Sequence, residues 1–386
     1  MYRVGQEEVD AIAEVLLSGE LFRYHPGGEC ERFEKRYAER LGVEHLAMCS
    51  SGTTALHAAL VGLDVGPGDE VLVPACTYMA TALAVLSVGA IPVVVDVDES
   101  ITLSPEAVEE AVGPHTRAVI PVHMWGLPCE MDQIMRIARE NDLLVLEDAC
   151  QAIGGGYEGR MLGSIGHAGA FSFNFYKNMT CGEGGAVATD DEMVLKRARC
   201  TIDCCSFYWE GREDGFVPFA SSGARASEVE GAMLNVQLDR IDGIITELRA
   251  QKERILEETA DTGLTPAPRN SPEHECGSHV MFNFATPEQA ERFASLSGGT
   301  VCGNTGRHIY TEWDPIFAHR GAHHPALDPF HIEQNRDCRT DYTKDMCARS
   351  LEIVNRTVMV ATNPDRTEEQ VEELIGTIRR AAREVL

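Results

Sequence analysis

Short apolar runs alternate with amphipathic patterns along the first half of the chain. Seven runs of seven or eight residues occupy 44–51, 69–75, 91–97, 118–125, 142–149, 169–175 and 184–190. Helical patterns separate several of them, at 53–63, 80–88, 104–111 and 131–140. Valine-rich runs of this length between helices are typical of a mainly parallel sheet that is covered on both faces. The pattern therefore predicts an α/β layer sandwich.

The segments on either side of this region have different patterns of apolar and polar residues. Two amphipathic helices are predicted at 6–17 and 29–41, separated by the helix-breaking residues Pro26, Gly27 and Gly28. After residue 223 the sequence predicts a long helix at 227–259, a Pro-rich break at 265–275 and a strand at 279–284. A capped helix at 286–297, an irregular region at 301–335 and a final helix at 367–385 follow. We expect a large domain over 1–240 and a smaller α+β domain over 241–386.

Composition and charge narrow the classes of partner. Hydrophobic residues make up 44% and charged residues 24%, which is ordinary for a globular protein and excludes a wholly disordered chain. The chain has 33 Lys and Arg against 61 Asp and Glu, a formal net charge of −28 at pH 7. Such a surface repels phosphate backbones and anionic lipids. We therefore expect no nucleic-acid partner. No apolar run reaches 18 residues, so no membrane partner is expected either.

Cysteine usage indicates a reducing environment. The 13 cysteines are scattered, form no CxxC pair and follow no signal-peptide core. The closest group, Cys200, Cys204 and Cys205, lacks the spacing of a zinc site. We therefore expect free thiols, no metal and a cytoplasmic protein.

One candidate for binding a ligand is the segment SSGTTALHAAL, which begins at Ser50 and joins an apolar run to a helix. Free amides at a helix N-terminus, together with hydroxyls and a glycine, can hold a phosphate group. Gly52 and Thr53 are the residues placed to do so. A helix capped by Ser or Thr without any ligand would have the same sequence.

A second candidate is the carboxyl end of the run LLVLEDACQAIGG, where Glu147, Asp148 and Gln151 follow an apolar strand. Ligands of open α/β sheets bind beyond these strand ends. A buried carboxylate needs a cationic partner, and a protonated ring nitrogen would serve. An aspartate that caps the following turn is the alternative.

The third candidate is Lys177 in FSFNFYKNMTCGEGGAV. The chain contains only five lysines, and Lys177 follows four apolar or aromatic residues in a six-residue window. We expect burial there to lower its pKa, which is how lysine becomes a nucleophile that forms Schiff bases with carbonyl compounds. A surface lysine is the alternative.

The three candidates are consistent with one cofactor. A phosphate cradle, a carboxylate for a ring nitrogen and a Schiff-base lysine are the protein groups that pyridoxal 5'-phosphate requires. Tyr78, in the run VLVPACTYMAT, follows another strand end and could stack on the ring. The combination makes each assignment stronger than it is alone.

The runs SSGTTAL, GDEVLVPACTYMAT, GAIPVVVDVD, VHMWG, LEDACQAIGG, GAFSFNFYKNMTCGEGGAV and RASE, in this order, resemble the DegT/DnrJ/EryC1/StrS family. The similarity extends from about residue 5 to 240. It implies a three-layer fold of the PLP-dependent transferases, fold type I, with a smaller α+β C-terminal domain. It also implies a homodimer whose active site lies at the subunit interface.

The resemblance implies a role for each candidate residue. Lys177 would form the Schiff base and move the proton during transamination, and Asp148 would hold the protonated pyridine nitrogen. The other cofactor contacts would be a ring stack from Tyr78, a contact with the phenolic oxygen from Gln151, and phosphate contacts from Gly52, Thr53 and Ser172.

Two segments depart from the family pattern. Where the family commonly has G-x-N-x-R-M-S-E, with the Asn reaching the cofactor phosphate of the neighbouring subunit, this chain has Gly223 at the Asn position. Ser221 or Ser222 could substitute, or the contact could be absent. The segment 307–330 is only loosely similar to the family, which indicates an unusual substrate pocket.

Other residues are weaker candidates. His319, His323 and His324 could ligate a metal, but we favour a substrate-shaping loop because no carboxylates accompany them. Aromatic and basic side chains that could line the pocket are Phe22, Arg23, Tyr24, Trp125, Tyr208 and Trp209. Among these, Trp125 has the best position because it follows a strand end.

The sequence thus predicts an aminotransferase that uses pyridoxal 5'-phosphate and passes through pyridoxamine phosphate. Its amino donor would be Glu or Gln, and its acceptor a keto or aldehydo sugar, sugar acid or cyclitol. One alternative is a PLP-dependent sugar dehydratase or deoxygenase, in which the resemblance implies a histidine in place of Lys177. Another is a non-catalytic regulator on the same fold.

Overall fold

The computed structural model describes residues 3–209, 211 and 215–386. Its α-helices within these ranges are α1 (Gln6–Ser18), α2 (Glu29–Leu41), α3 (Gly52–Gly62), α4 (Ala80–Ser87), α5 (Pro105–Ala111), α6 (Met131–Glu140), α7 (Glu192–Ile202), α8 (Glu228–Thr259), α9 (Pro287–Ser297), α10 (Asp314–Phe317), α11 (Ala348–Asn355) and α12 (Glu368–Val385). Short 3-10 turns lie between several of them, most densely in the region 302–335.

The strands are β1 (His45–Cys49), β2 (Glu70–Pro74), β3 (Ile91–Val95), β4 (Thr116–Val119), β5 (Leu144–Asp148), β6 (Gly156–Tyr157), β7 (Arg160–Met161), β8 (Ala168–Ser172), β9 (Gly185–Thr189), β10 (Thr265–Pro266), β11 (His279–Asn283), β12 (Thr300–Val301) and β13 (Thr357–Ala361). Each of the seven predicted apolar runs contains one strand of the central sheet or overlaps with it.

The central sheet has seven strands in the order β1-β9-β8-β5-β4-β2-β3. Neighbouring strands from β8 to β3 are parallel, and β9 is antiparallel to both of its neighbours. The carboxyl ends of β1, β2, β5 and β8 therefore lie at one edge of the sheet. The predicted α/β class with a mainly parallel sheet is confirmed.

Both faces of this sheet are buried, which explains why its strands are apolar throughout. Val71 and Val73 of β2 pack into one hydrophobic cluster, with α3 and α4. Leu72, between them, packs into a second cluster with α2, α6 and the first part of α8. Because successive strand residues point to opposite faces, burial of both faces requires apolar residues at odd and even positions alike.

Helix α8 connects the layers to the C-terminal part of the chain. It has 32 residues and begins with a capping box in which Ser227 and Glu230 exchange hydrogen bonds. Its residues up to Leu248 belong to the cluster on the central sheet, whereas Ile255 belongs to the C-terminal cluster. The boundary predicted at residue 240 falls inside this helix, and the division into two domains stays a prediction.

The C-terminal part contains a four-stranded antiparallel sheet in the order β10-β11-β13-β12, packed against α9 and α12. The irregular region that follows β12 returns to the central sheet, where it buries Tyr310 and Trp313 in the cluster on the α3 side. A backbone bridge between Cys76 and Ile309 joins this region to the end of β2. The C-terminal half therefore contributes one wall to the edge where the strands end.

None of the helices in the described part of the chain is both long and apolar enough to cross a membrane. All 13 cysteines lie within the described ranges, and each is a free thiol.

Candidate functional site

A cleft of about 570 Å³ lies at the carboxyl ends of the central strands. All seven residues predicted to bind the cofactor or to act in catalysis line it, together with Trp125: Gly52, Thr53, Tyr78, Asp148, Gln151, Ser172 and Lys177. The structure thus brings together residues that are up to 125 positions apart in the sequence. Their individual roles stay predictions.

The N-terminus of α3 forms one end of the cleft. Ser51 caps this helix, and its hydroxyl accepts a hydrogen bond from the amide of Thr54 at 3.1 Å. Within the described residues, the amides of Gly52 and Thr53 have no hydrogen-bond acceptor. Two free amides at the positive end of a helix form an anion site.

Close packing beneath this helix end explains the glycine. A Cβ atom on Gly52 would lie 2.7 Å from Ser172 Cβ and 2.9 Å from Cys150 Sγ. Only glycine allows the helix end to approach the end of β8 so closely. The Ser172 hydroxyl lies 3.2 Å from the same Cβ position and lines the same cleft, so it is available beside this helix end.

Asp148 ends β5 and its side chain lines the cleft although it is 4% exposed. Its Oδ2 accepts a hydrogen bond from the Thr81 hydroxyl at 2.8 Å, and its Oδ1 accepts one from the Cys150 amide at 3.1 Å. Among the described residues, no cationic side chain lies within ion-pair distance of this carboxylate. A buried carboxylate of this kind can take a cationic ligand group from the cleft.

Glu147 precedes Asp148 and points to the opposite face of the sheet, where it is fully buried. Its carboxylate accepts hydrogen bonds from the amides of Gly163, Ile165 and Gly166, at 2.8, 2.5 and 2.6 Å. His123 Nδ1 accepts from the Cys129 amide, so its Nε2 carries the proton and donates to Glu147 at 3.0 Å. Four donors therefore hold one end of β5 in place.

The peptide of Asp148 is also fixed from both sides. Its amide donates to the Pro121 carbonyl at 2.9 Å, and its carbonyl accepts from the His123 amide at 3.1 Å. His123 therefore binds Glu147 through its side chain and Asp148 through its backbone amide. This arrangement positions the Asp148 carboxylate in the cleft.

Lys177 lies in the loop between β8 and β9, where its amide donates to the Asn174 carbonyl at 2.9 Å. The environment differs from the expectation of an apolar one. Lys177 is only half-buried, and the preceding Phe175 and Tyr176 are 55% and 74% exposed. Tyr176 and Lys177 both line the cleft, so the surroundings of Lys177 are partly open to solvent rather than apolar.

Electrostatic effects on two neighbours place the charge of Lys177 within the site. Burial raises the pKa of the Cys150 thiol, the Asp148 carboxylate raises it further, and the positive charge of Lys177 opposes both. Burial lowers the pKa of His308, and the charges of Arg307 and Lys177 lower it further. Lys177 therefore acts on groups from both walls of the cleft.

The wall opposite the strands comes from the C-terminal half. The amides of Thr77 and Met79 donate to the carbonyls of His308 and Arg307, at 2.9 and 3.1 Å. These bonds hold Tyr78, whose ring centroid lies 5.2 Å from the Arg307 guanidinium carbon. The two segments form one rigid wall of the cleft.

Trp125 and His279 form a further part of this wall. Trp125 has a φ of 52°, which is a strained conformation for a residue other than glycine. Its carbonyl accepts hydrogen bonds from the Ser278 hydroxyl at 3.3 Å and from His279 Nδ1 at 3.4 Å. Burial lowers the pKa of His279 to about 4, so its imidazole is neutral at pH 7.

Several sequence candidates do not line this cleft. Phe22 and Tyr24 pack against Trp209, and Arg23 pairs with Glu34 at 2.6 Å. Tyr208 lies beside Phe207, with ring centroids 4.5 Å apart.

The three loop histidines also lie outside the cleft. His319 stacks on Phe330 and bonds to the Thr340 carbonyl, whereas His324 caps a short 3-10 turn. His323 lies next to His324, with ring centroids 6.4 Å apart.

Gly223 pairs with Asp203 in an isolated bridge, and a Cβ atom there would meet no atom within 4 Å. The hydroxyl of Ser221 donates to the Thr201 carbonyl at 2.9 Å, and the Ser222 carbonyl accepts from the Cys204 amide. None of the three residues lines the cleft of its own chain.

The sequence reasoning missed part of the site, including Thr81, His279, Arg307 and His308. Thr81 lies three residues after Tyr78, one helical turn away, and this spacing could have revealed it. The other three come from the C-terminal half, whose approach to the strand ends depends on contacts distant in the sequence.

The residues present fit pyridoxal 5'-phosphate. The crowded Gly52 cradle with its two free amides suits the phosphate, and the unpaired Asp148 carboxylate suits a protonated ring nitrogen. Tyr78 and Lys177 line the space between these two ends. The donor set of the cleft thus matches both charged ends of this cofactor.

Comparisons with known proteins agree with this geometry. The model of the DegT/DnrJ/EryC1/StrS aminotransferase family matches residues 3–379. The chain belongs to this family, and the family membership predicted from the sequence is confirmed.

Three relatives illustrate the similarity. GDP-perosamine synthase of Caulobacter vibrioides is 40% identical over 229 residues, which cover 58% of this chain and 59% of that protein. The spore coat polysaccharide biosynthesis protein SpsC of Bacillus subtilis is 43% identical over 197 residues, which cover 51% and 50%. The chain thus spans about half to three fifths of the length of these curated relatives. The X-ray structure of an aminotransferase from Psychrobacter cryohalolentis matches with a TM-score of 0.81 at 26% identity, over 99% of this chain and 98% of that one.

We expect Glu147→Gln to destabilise the protein, because an amide cannot accept from four donors at once. The free energy of unfolding should fall by about 2–4 kcal/mol, as for other broken buried networks. Denaturant unfolding measures it. Glu140→Gln, in an exposed pair with Arg136, serves as the control and should cost less than about 1 kcal/mol. Equal effects of the two substitutions would contradict this account of the β5 end.

Gly52→Ala should weaken binding of pyridoxal 5'-phosphate, because the new Cβ collides with Ser172 and Cys150. Overpacking of this size typically costs 1–3 kcal/mol, so we expect the dissociation constant to rise by about 10-fold or more. Fluorescence titration with the cofactor measures the change. Gly243→Ala is the matched control, since nothing lies within 4 Å of its Cβ position. Unchanged affinity in the Gly52 variant would exclude this helix end as the phosphate site.

Proposed function

We propose that this member of the DegT/DnrJ/EryC1/StrS family is a PLP-dependent aminotransferase. It moves an amino group from Glu or Gln to a keto or aldehydo sugar, sugar acid or cyclitol. The observation that carries the proposal is the convergence of Lys177, Asp148 and the Gly52 cradle in one cleft. The names of the matched relatives, a perosamine synthase and a polysaccharide biosynthesis protein, support a sugar-related acceptor.

Pyridoxal 5'-phosphate, when bound, supplies a ring that accepts electrons from the carbon at which the amine is transferred. The chain's own residues bind and orient it. The amides of Gly52 and Thr53 and the hydroxyl of Ser172 hold the phosphate without a basic side chain. Asp148 holds the proton on the ring nitrogen, which preserves the electron-accepting state of the ring. Tyr78 and Gln151 would fix the plane and the in-plane orientation of the ring.

Lys177 is the residue that carries out proton transfer. Its amine is the flexible basic group that lines the cleft, and the loop from Asn174 to Gly182 fixes its backbone. It would move the proton between the substrate carbon that carries the amine and the C4' carbon of the cofactor. The neutral imidazole of His279 and the lowered pKa of His308 leave two uncharged polar groups in the lining of the cleft, which suits an acceptor rich in hydroxyl groups.

We further propose that the protein is a homodimer in the cytoplasm whose active site lies at the subunit interface. Tyr176 lines the cleft beside Lys177, and both Tyr176 and the preceding Phe175 are large and exposed. Exposed apolar patches of this kind mark interaction surfaces. The open space at Gly223 fits a contact with the neighbouring subunit that uses backbone or the adjacent serines instead of an asparagine. Thirteen free thiols support a reducing compartment.

The test of the activity is covalent trapping followed by amine transfer. Borohydride reduction of the purified protein should add the mass of the cofactor to the peptide that contains Lys177, and Lys177→Ala should abolish this labelling. With ¹⁵N-labelled glutamate or glutamine and a panel of keto sugars, aldehydo sugar acids and inososes, mass spectrometry should detect an aminated product.

Lys35→Ala is the control for the trapping experiment, because Lys35 is exposed and pairs only with Glu31 in the described structure. It should retain labelling and amine transfer. A product that is dehydrated but not aminated would reverse the assignment in favour of a dehydratase. Absence of any cofactor absorbance or labelling would refute the aminotransferase.

The dimer is tested by sedimentation at micromolar concentration. We expect a species of about 84 kDa, twice the chain mass of 42.2 kDa, because a closed twofold interface is the commonest arrangement of soluble homo-oligomers. A stable monomer that retains amine transfer would show that the site is complete within one chain.

A further inference from the structure

A chain of two buried hydroxyls leads to the Asp148 carboxylate. Thr77 Oγ1 and Thr81 Oγ1 are 2.8 Å apart, and Thr81 Oγ1 is 2.8 Å from Asp148 Oδ2. Thr77 and Thr81 are 0% exposed and Asp148 is 4% exposed. Threonine at a fully buried position can be replaced in shape by valine, so these hydroxyls need a reason other than packing.

The direction of the hydrogen bonds follows from the donors. The Cys150 amide can only donate, so Asp148 Oδ1 is an acceptor. A hydroxyl has one proton to donate and can accept as well. The single proton of the Thr81 hydroxyl has two acceptors in reach, the Tyr78 carbonyl at 3.2 Å and Asp148 Oδ2 at 2.8 Å, and the charged oxygen is both the closer and the stronger acceptor. With Thr81 donating to Oδ2 and Thr77 donating to Thr81, each oxygen of the carboxylate has one donor. Two donors, one on each oxygen, fix the rotation of the carboxylate.

The position of Thr81 ties this contact to the rest of the wall. Its amide donates to the Tyr78 carbonyl at 3.1 Å, at the start of α4. The segment 77–81 therefore supplies both the residue expected to stack on the ring and the donor to Asp148. The bonds of this segment to the carbonyls of Arg307 and His308 hold it against the C-terminal half.

We propose that Thr81 is a positioning residue for the cofactor: its hydroxyl, which accepts a hydrogen bond from Thr77, donates to Asp148 and holds the carboxylate oriented toward the ring nitrogen. The inference rests on the proposed function, because it requires a pyridine nitrogen opposite Asp148. It assigns a role to two residues beyond those expected to contact the cofactor. The hydroxyl acts only through Asp148.

The proposal predicts an effect that depends on the ring nitrogen. After the cofactor is removed from the purified protein by dialysis against glutamate and phosphate, dissociation constants are measured by quenching of tryptophan fluorescence. The two ligands are pyridoxal 5'-phosphate and its 1-deaza analogue, in which CH replaces the ring nitrogen. Thr81→Val should raise the constant for the first about 10-fold, as expected for a lost hydrogen bond to a charged group. It should change the constant for the analogue less than about 2-fold.

Three further variants control for packing. Thr81→Ser keeps the hydroxyl and should restore the preference for the ring nitrogen. Thr77→Val should cause a smaller loss in the same direction, because Thr81 retains its proton. Thr259→Val removes another buried hydroxyl, one that bonds to the Ile255 carbonyl within α8, and should leave both constants unchanged.

The outcomes separate this proposal from the proposed function. Equal weakening of both ligands by Thr81→Val, or no weakening of either, overturns the role of Thr81 while Lys177 trapping still supports the aminotransferase. A wild-type protein that binds both ligands equally also overturns it, because Asp148 then does not recognise the ring nitrogen. A wild-type protein that binds neither ligand and shows no trapping at Lys177 overturns both.

Discussion

The site depends on burying the carboxylate of Asp148 at the end of a strand that is covered on both faces. Strand alternation sends Glu147 to one face of the sheet and Asp148 to the other, so two adjacent carboxylates leave water together. Each is held by a separate set of donors. Glu147 receives three backbone amides and the proton of His123, whereas Asp148 receives one amide and one hydroxyl. The Asp148 carboxylate can accept further hydrogen bonds from the side of the cleft, where a ligand can supply them.

The proposed phosphate site is the second consequence of this architecture. A chain with a formal net charge of −28 appears unsuited to an anion when charge alone is considered. In our proposal the α3 N-terminus is a local exception, because two free amides and a hydroxyl would attract a phosphate through dipoles rather than through basic side chains. Close approach of α3 to β8 at Gly52 makes this possible. The bulk acidity therefore belongs to the surface, and the cleft has its own electrostatics.

The sequence allowed much of the fold and the centre of the site to be predicted, for physical reasons. The strands were evident because burial on both faces demands unbroken apolar runs, and the site residues were evident because they follow those strand ends. The scarcity of lysine singled out Lys177, but its predicted apolar environment was wrong, because Lys177 is only half-buried and both Phe175 and Tyr176 are exposed. His279, Arg307 and His308 were missed because they reach the cleft through long-range pairing, such as the bonds between segments 75–79 and 307–310. Pairing of this kind has no local signature.

A crystal structure of the protein grown with pyridoxal 5'-phosphate tests the central claim most directly. The account predicts a covalent link from Lys177 Nζ to the cofactor and a ring nitrogen within about 3 Å of an Asp148 oxygen. It also predicts a phosphate that accepts from the amides of Gly52 and Thr53 and from the hydroxyl of Ser172. A cofactor bound with its phosphate away from the α3 N-terminus, or with its ring nitrogen unpaired, would contradict the account.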